Sequence, residues 1–246
     1  MDIIITGANG RMGRMLAQVI ADGGTHRVAA RVSPSYYTDS VEGTYPYPEQ
    51  CSEPADVVID FSNHAGTAAL MDWCAARKLP AVIATTAHTE EDLASIRKAA
   101  ESIPVFLSAN MSVGVALLAD LAKKAAAVFP DADIEIIERH HNQKLDVPSG
   151  TALLLARRIR EARPDAELVV GRHENGKRRP NEIGVHSLRY GSEVGTHEIL
   201  LSNGSETVTL KHEAESRTLF ARGALAAAEF LVGKAPGLYD MRDILA

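Results

Sequence analysis

Residues 2–23 read DIIITGANGRMGRMLAQVIADG. Asp2–Thr6 carries three isoleucines in a row and reads as a short buried strand, while the run after Gly13 has apolar residues at helical spacing. Between them lie Gly7, Gly10 and Gly13, spaced GxxGxxG rather than GxGxxG. Each has a task in a turn that holds a dinucleotide: a tight bend, a close backbone approach to a pyrophosphate, and close packing of helix on strand. A glycine triplet alone is a weak signal. Set after a strand and at the opening of a helix, it makes Gly7, Asn9, Gly10, Arg11, Met12 and Gly13 candidates for cofactor contact, against the plainer reading of a structural turn. Arg11 is either a phosphate ligand or an exposed first-turn side chain.

Downstream the pattern alternates. Residues 26–32 (HRVAARV), 55–60 (ADVVID), 80–84 (PAVIA) and 104–108 (PVFLS) read as strands, with helices over 65–77 and 89–101. Such β-then-α alternation gives an α/β fold with a Rossmann-like, doubly wound parallel sheet. Sheets of this kind bind ligands beyond the C-terminal ends of their strands. Phe61, Ser62, Ala84, Thr85, Thr86, Asn110 and Met111 stand at those ends and are expected to line the nicotinamide half of the groove. The second strand ends without the acid that bonds an adenosine ribose: Arg31 stands there, Ser33 and Ser35 follow, and Asp39 comes too late. An arginine favours a 2′-phosphate, so the expected cofactor is NADPH or NADH with NADPH preferred. Adenine stacking or a plain surface charge is the alternative for Arg31. Residues 34–54 are rich in Pro, Tyr and acids and read as an irregular connection whose tyrosines pack rather than touch cofactor. His64 and His88 read as solvated loop histidines.

A length of 246 residues, 46% of them hydrophobic and 24% charged, suits a soluble globular chain of one large or two small domains. A net charge of -6 argues against a nucleic-acid partner. No apolar run approaches the roughly 20 residues of a membrane helix, and the chain opens straight into a strand without a basic leader, so no membrane partner is expected. Cys51 and Cys74, without a CxxC pattern, fit a reducing cytoplasm.

The densest polar stretch is 138–152, ERHHNQKLDVPSGTA. DIEIIE before it alternates like a strand, and ALLLARRIREA after it reads as a helix. The polar residues therefore sit on a strand-to-helix loop, where sites are commonly built. Pro148-Ser149-Gly150-Thr151 forms a helix entrance whose amides can receive an anion. His140 can supply a proton near neutrality and Lys144 a fixed positive charge. That set suits a small carboxylated substrate that is protonated during its reaction, against the bland alternative of a polar capping loop. No metal is expected: His140 and His141 point to opposite faces of a strand, and no third ligand lies at useful spacing. A long helix over 112–129, then strands at 167–170, 183–189, 194–201 and 207–212, predict a second, α+β domain with an open mixed or antiparallel sheet. Helices should cover one face of it. Residues 171–182 read as an exposed hairpin tip, and His197 and His212 as sheet-surface histidines. A last helix over 218–232 returns to the first domain, giving domains of 1–110 with 217–246, and 111–216. Two lobes hinged near 110 and 216 are expected to close around a ligand.

The run His140-His141-x-x-Lys144-x-Asp146-x-Pro148-Ser149-Gly150-Thr151-Ala152 resembles the signature of the 4-hydroxy-tetrahydrodipicolinate reductases, pyridine-nucleotide reductases of the lysine and diaminopimelate pathway. Gly10-Arg-Met-Gly13, Asp60-Phe-Ser62, Arg189-Tyr-Gly191 and Gly237-Leu-Tyr-Asp-Met are similar to further family motifs, so the resemblance covers nearly the whole chain. The chain departs from the family at Ala84 and Ala87, which flank the threonine pair, and at Met111, where the family has an aromatic. The resemblance implies conjugate reduction of a cyclic unsaturated imine carrying two carboxylates, by a cytoplasmic homotetramer assembled through the second-domain sheets. It implies His140 as the proton donor and Lys144 as the charge that meets the ring nitrogen or a carboxylate. His141, Ser149, Gly150 and Thr151 would hold a carboxylate, Asp146 the loop, and Arg217, near the second hinge, the cofactor. Two rivals stay open. Another two-domain dehydrogenase, of an amino acid or a semialdehyde, would not need this loop. A nucleotide-sensing regulator would bind cofactor without oxidising it.

Overall fold

The computed structural model describes residues 1–38 and 41–246, so Asp39 lies outside the described residues. The chain forms two compact units, Met1–Ser112 with Thr218–Ala246, and Val113–Arg217. The joints fall a residue or two later than the sequence suggests, which leaves Met111 in the first unit and Arg217 in the second.

The first unit runs β1 (Asp2–Thr6), α1 (Arg11–Gly23), β2 (Arg27–Val32), β3 (Thr44–Tyr45), β4 (Val57–Asp60), α2 (Thr67–Arg77), β5 (Ala81–Ile83), α3 (Glu90–Ala100) and β6 (Pro104–Leu107). After the second unit come α6 (Thr218–Leu231), β12 (Gly237–Tyr239) and α7 (Met241–Ile244). The strands pair in parallel in the order β12-β6-β5-β4-β1-β2-β3. The strand order reverses between β1 and β4, the position where such sheets take a ligand. Every residue of β4 and β5 is buried, as is Ile3–Thr6 of β1, because helices cover both faces. Helices α2 and α3 share a core with Ile4, Val58, Ile83 and Val105. Helix α6 packs on α1 and on β4, β5 and β6, through a buried side made of Ala221, Gly223, Ala224, Ala227 and Ala228. Two strands exceed the sequence reading. Strand β3 is two residues long and pairs with Arg31 and Val32 inside the stretch read as irregular. Strand β12 lies against β6, with Phe230 meeting Phe106 and Tyr239 edge-on.

The second unit runs α4 (Val113–Val128), β7 (Asp133–His140), α5 (Gly150–Ala162), β8 (Glu167–Val170), β9 (Glu182–Arg189), β10 (Gly195–Ser202) and β11 (Thr207–Ala214). Its sheet, β11-β10-β7-β9-β8, is mixed. Helices α4 and α5 bury Ile134, Ile136, Ile183, Val185, Ile199 and Leu201 on one face. The hairpin expected over 171–182 is absent, because β8 and β9 are parallel, with Glu167 opposite Glu182. The run carries the chain back along the strand instead. Its basic charge is spent on glutamates: Arg172 and Arg179 hold Glu182 at 2.7 and 2.8 Å, and Arg178 meets Glu135 at 3.2 Å. Hydrogen bonds from Arg179 and Arg172 lower the Glu182 carboxyl to about 2. Among the described residues, no helix is long and apolar enough to cross a membrane.

Candidate active site

In β7 the even-numbered residues face the helices. Ile134 and Ile136 are fully buried, and the same parity makes Glu138 and His140 the next two on that face. Strand β9 does the same with Ile183, Val185 and Arg189, and β10 with Leu201, Ile199 and His197 in reverse. The apolar core therefore gives way at one end to a polar cluster beneath the entrance of α5. Glu138 is fully buried and His140 is 8% exposed. The Glu138 carboxylate faces His140 Nδ1 at 2.5 Å and accepts the Ser149 amide at 3.1 Å. The Arg189 guanidinium closes on both of its oxygens, at 2.7 and 2.8 Å. Burial would raise this carboxyl, but the hydrogen bonds from His140, Arg189 and the Ser149 amide together hold it well below the usual carboxylate range.

His197 is not the sheet-surface histidine that the sequence suggests. It is 4% exposed, shares a hydrogen bond with Ser149 Oγ at 3.0 Å, and stands edge-on to His140 at 5.2 Å. Burial, reinforced by the neighbouring His140, pushes it down to about 3, so it is neutral. Its parity with Ile199 and Leu201 was the available signal. Glu138 was missed for the same reason: both residues continue an apolar face, and only pairing across strands shows that the face turns polar there.

The loop between β7 and α5 carries the rest. Ser149 caps α5, its hydroxyl accepting the Ala152 amide at 3.1 Å. Gly150 and Thr151 form the first turn. Lys144 Nζ rests on the Asp146 carboxylate at 2.9 Å. This contact is the main cause that lowers the Asp146 carboxyl. The Asp146 carbonyl accepts from Arg189, which ties the loop to β9. Arg217 donates to His141 Nε2 at 3.3 Å. His141 is lowered by burial and then by the charge of Arg217. Among the described residues, no group of His, Cys, Asp and Glu side chains gathers as a metal site.

In the first unit, Gly7 has φ +71 and a Cβ there would stand 2.4 Å from the Phe61 carbonyl, so only glycine lets the loop after β4 close over the turn. A Cβ on Gly13 would meet the Gly7 carbonyl at the same distance, which fixes the packing of α1 on β1. Gly10 precedes α1 and brings no side-chain cap to its first turn, where Arg11 and Met12 lie. Asn9 is held by Ser35 at 2.6 Å and Tyr36 at 3.0 Å. A cavity of about 440 Å³ opens at the point where the strand order reverses, walled by Gly7, Gly10, Ser33, Tyr47, Phe61 and Ser62. Arg31 is exposed and lies two residues before Ser33. Asp60, which the sequence reading passed over, is buried and binds the strand ends together. It accepts from Thr6, Thr85 and the Ser62 amide at 2.5, 2.6 and 3.1 Å. Ala84 and Thr85 are buried after β5, and Thr86 is exposed. After β6, the Asn110 side chain accepts the Ser112 amide and Met111 is buried. Ala87 adopts φ +64, where a Cβ is strained. Ala87→Gly is expected to raise unfolding free energy by about 1 kcal/mol, read by chemical denaturation. An unchanged or lower stability would show that the strain is absorbed elsewhere.

The family model for the dihydrodipicolinate reductase N-terminus matches residues 1–111 and that for the C-terminus residues 114–245. A 4-hydroxy-tetrahydrodipicolinate reductase of Caldanaerobacter subterraneus subsp. tengcongensis is 44% identical over 99% of this chain and 97% of its own length. One of Clostridium tetani is 41% identical, with 99% and 96% covered. A dipicolinate-bound dihydrodipicolinate reductase from Paenisporosarcina sp. TG-14 superposes with a TM-score of 0.83 at 25% identity, over 98% of this chain and 97% of that one. With both halves of the family model and relatives of this similarity matched end to end, the chain belongs to the 4-hydroxy-tetrahydrodipicolinate reductase family, NAD(P)H-dependent oxidoreductases.

Proposed function

We propose that this chain reduces 4-hydroxy-tetrahydrodipicolinate (dihydrodipicolinate) to tetrahydrodipicolinate in diaminopimelate and lysine biosynthesis, with the residues of the β7–α5 loop in the roles below. The observation that carries the reading is a histidine on a buried carboxylate, beside a lysine and the entrance of a helix. The first unit fits a dinucleotide: the cavity lies where the strand order reverses, and glycine brings bare backbone to its wall. Bound there, a reduced nicotinamide supplies hydride.

The chain's own residues do the rest. Hydride addition leaves an electron-rich ring position, and His140 gives it a proton. Lys144 sets a compact positive charge against the ring nitrogen or a carboxylate as charge builds. Asp146 holds that lysine ready and is exposed enough to yield it. His141, Ser149, Gly150 and Thr151 hold a substrate carboxylate with side-chain and helix-entrance donors.

The test is a coupled assay in which a synthase makes the unstable substrate from pyruvate and aspartate semialdehyde. Loss of reduced-nicotinamide absorbance that depends on both proteins supports the reading. A folded chain that binds nucleotide and oxidises neither NADH nor NADPH overturns it. In the same assay, His140→Gln is expected to lower turnover by about 10²–10⁴-fold, with nucleotide affinity unchanged. Full activity in that variant would remove His140 as the donor.

Arg31, with no acid at the end of β2, supports NADPH over NADH. Arg31→Ala should weaken NADPH by about tenfold, the loss of one charged hydrogen bond, and spare NADH. Equal losses count against the preference. The second-unit sheet has helices on one face, which supports a homotetramer built through the other. Sedimentation reads that state directly.

A further inference from the structure

Glu138 is fully buried and touches three parts of the site at once: the His140 ring, the Ser149 amide and the Arg189 guanidinium. An ionised carboxylate only accepts hydrogen bonds, so the ring nitrogen that faces it carries a proton. With Nδ1 engaged at 2.5 Å, the nitrogen left for exchange is Nε2. That nitrogen stands against Gly195 of β10, where a Cβ would lie 2.7 Å away, so a residue without a side chain is needed beside it. The charged and titratable groups around His140 are Glu138 on β7, Arg189 on β9, His197 on β10, Glu193 in the turn before β10, and His141 and Lys144 in the loop. Glu193 is bound by Thr196. Glu138 is the carboxylate in hydrogen-bond contact with the ring.

We infer that Glu138 is the positioning residue of this site: it keeps a proton on His140 Nδ1, makes Nε2 the nitrogen that protonates the substrate, and through the Ser149 amide sets the α5 entrance at a fixed distance from that nitrogen. The inference rests on the reading of His140 as proton donor. Arg189 keeps the carboxylate charged and in place. In the step itself, a proton leaves Nε2 for the electron-rich ring position, and the imidazole remains neutral with its Nδ1–H on Glu138. A proton from solvent then restores Nε2–H. With the opposite tautomer, a bare Nδ1 and a carboxylate would stand face to face, two acceptors without a proton between them.

The test uses the whole chain and three variants. Glu138→Gln keeps the size of the side chain and an oxygen for the Ser149 amide, but sets an amide donor against Nδ1. Its kcat is expected to fall about 10²-fold or more, with KM for substrate and nucleotide within about threefold, the pattern of a loss felt only in the transition state. In ¹⁵N–¹H spectra of the histidine rings, the wild type should show a protonated Nδ1, assigned by its disappearance in His140→Gln, and Glu138→Gln should lose it. Gly195→Ala crowds Nε2 and should lower kcat similarly while keeping the Nδ1–H signal. Should Glu138→Gln fail to fold, the wild-type spectrum and Gly195→Ala carry the test. A bare Nδ1 in the wild type, or wild-type kcat in Glu138→Gln or Gly195→Ala, overturns the inference. Full turnover in His140→Gln would instead remove the proton-donor reading beneath it, so the two failures are told apart.

Discussion

Gly223→Ala is expected to lose about 3 kcal/mol or more of unfolding free energy, at the upper end for overpacking. Helix α6 crosses β4, β5 and β6 on an almost bare backbone, and a Cβ at 223 would lie 1.6 Å from the Met111 carbonyl oxygen. A backbone oxygen in the segment after β6 cannot swing aside as a side chain can. Either α6 lifts off the sheet or the segment that follows β6 shifts, and both loosen Asn110 and Met111. The effect should therefore appear twice, in a lower denaturation midpoint and in weaker nucleotide binding. Gly184→Ala is the control. Its Cβ would meet the Glu135 carboxylate, a side-chain end that can shift at the cost of its contacts with Arg178 and His186, so a smaller loss is expected. Equal stability of Gly223→Ala and wild type would mean that α6 is not seated as described.

Arg189→Leu should destabilise the chain by about 3 kcal/mol near neutrality, the low end for breaking a buried pair. Leucine fills much of the space but leaves Glu138 fully buried without the guanidinium, against His140 and the Ser149 amide. The pH dependence gives the sign. In the wild type the Glu138 carboxyl lies well below its ordinary value. Its contribution is complete above the ordinary glutamate range and is lost as pH falls through and below that range. Without Arg189, burial regains ground and the carboxyl protonates at higher pH than in the wild type. The gap between variant and wild type should thus be widest at pH 7–8 and narrow as pH falls toward the ordinary glutamate value of about 4.3. Chemical denaturation at several pH values reads this. A gap that stays constant, or widens in acid, would show that Arg189 acts by packing alone.

The sequence made much of this legible because its signals were local. A strand, three glycines and a helix opening are contiguous, and so is the polar run from His140 to Thr151. The periods of β and α in the first unit placed Phe61, Thr85 and Asn110 at strand ends without further information. What stayed hidden depends on pairing between distant segments. Thr44–Tyr45 is a strand only because Arg31 and Val32 lie beside it. The basic run after β8 looks like an exposed tip until the glutamates of β7 and β9 are brought against its arginines. Glu138, Arg189 and His197 belong to three strands and become one cluster through the register that sets Glu138 opposite His197 and His140 opposite Arg189. Parity along each strand pointed them toward the helices. Which faces meet, and that a carboxylate would find its arginine there, is information about the sheet and not about any one stretch.

The strand at residues 237–239 also imposes an order of assembly. During synthesis β6 emerges as an open edge with unpaired amides and carbonyls. Its neighbour is made only after all of Val113–Arg217 has been synthesised. The inserted unit, contiguous in the chain, can fold while the nucleotide sheet still waits for its last strand. A chain stalled or clipped before Gly237 would keep that edge exposed, together with the Phe230 ring that Tyr239 meets edge-on. Quality control of this protein should accordingly be sensitive to whether residues 237–239 have been made, about a hundred residues after the β7–α5 loop.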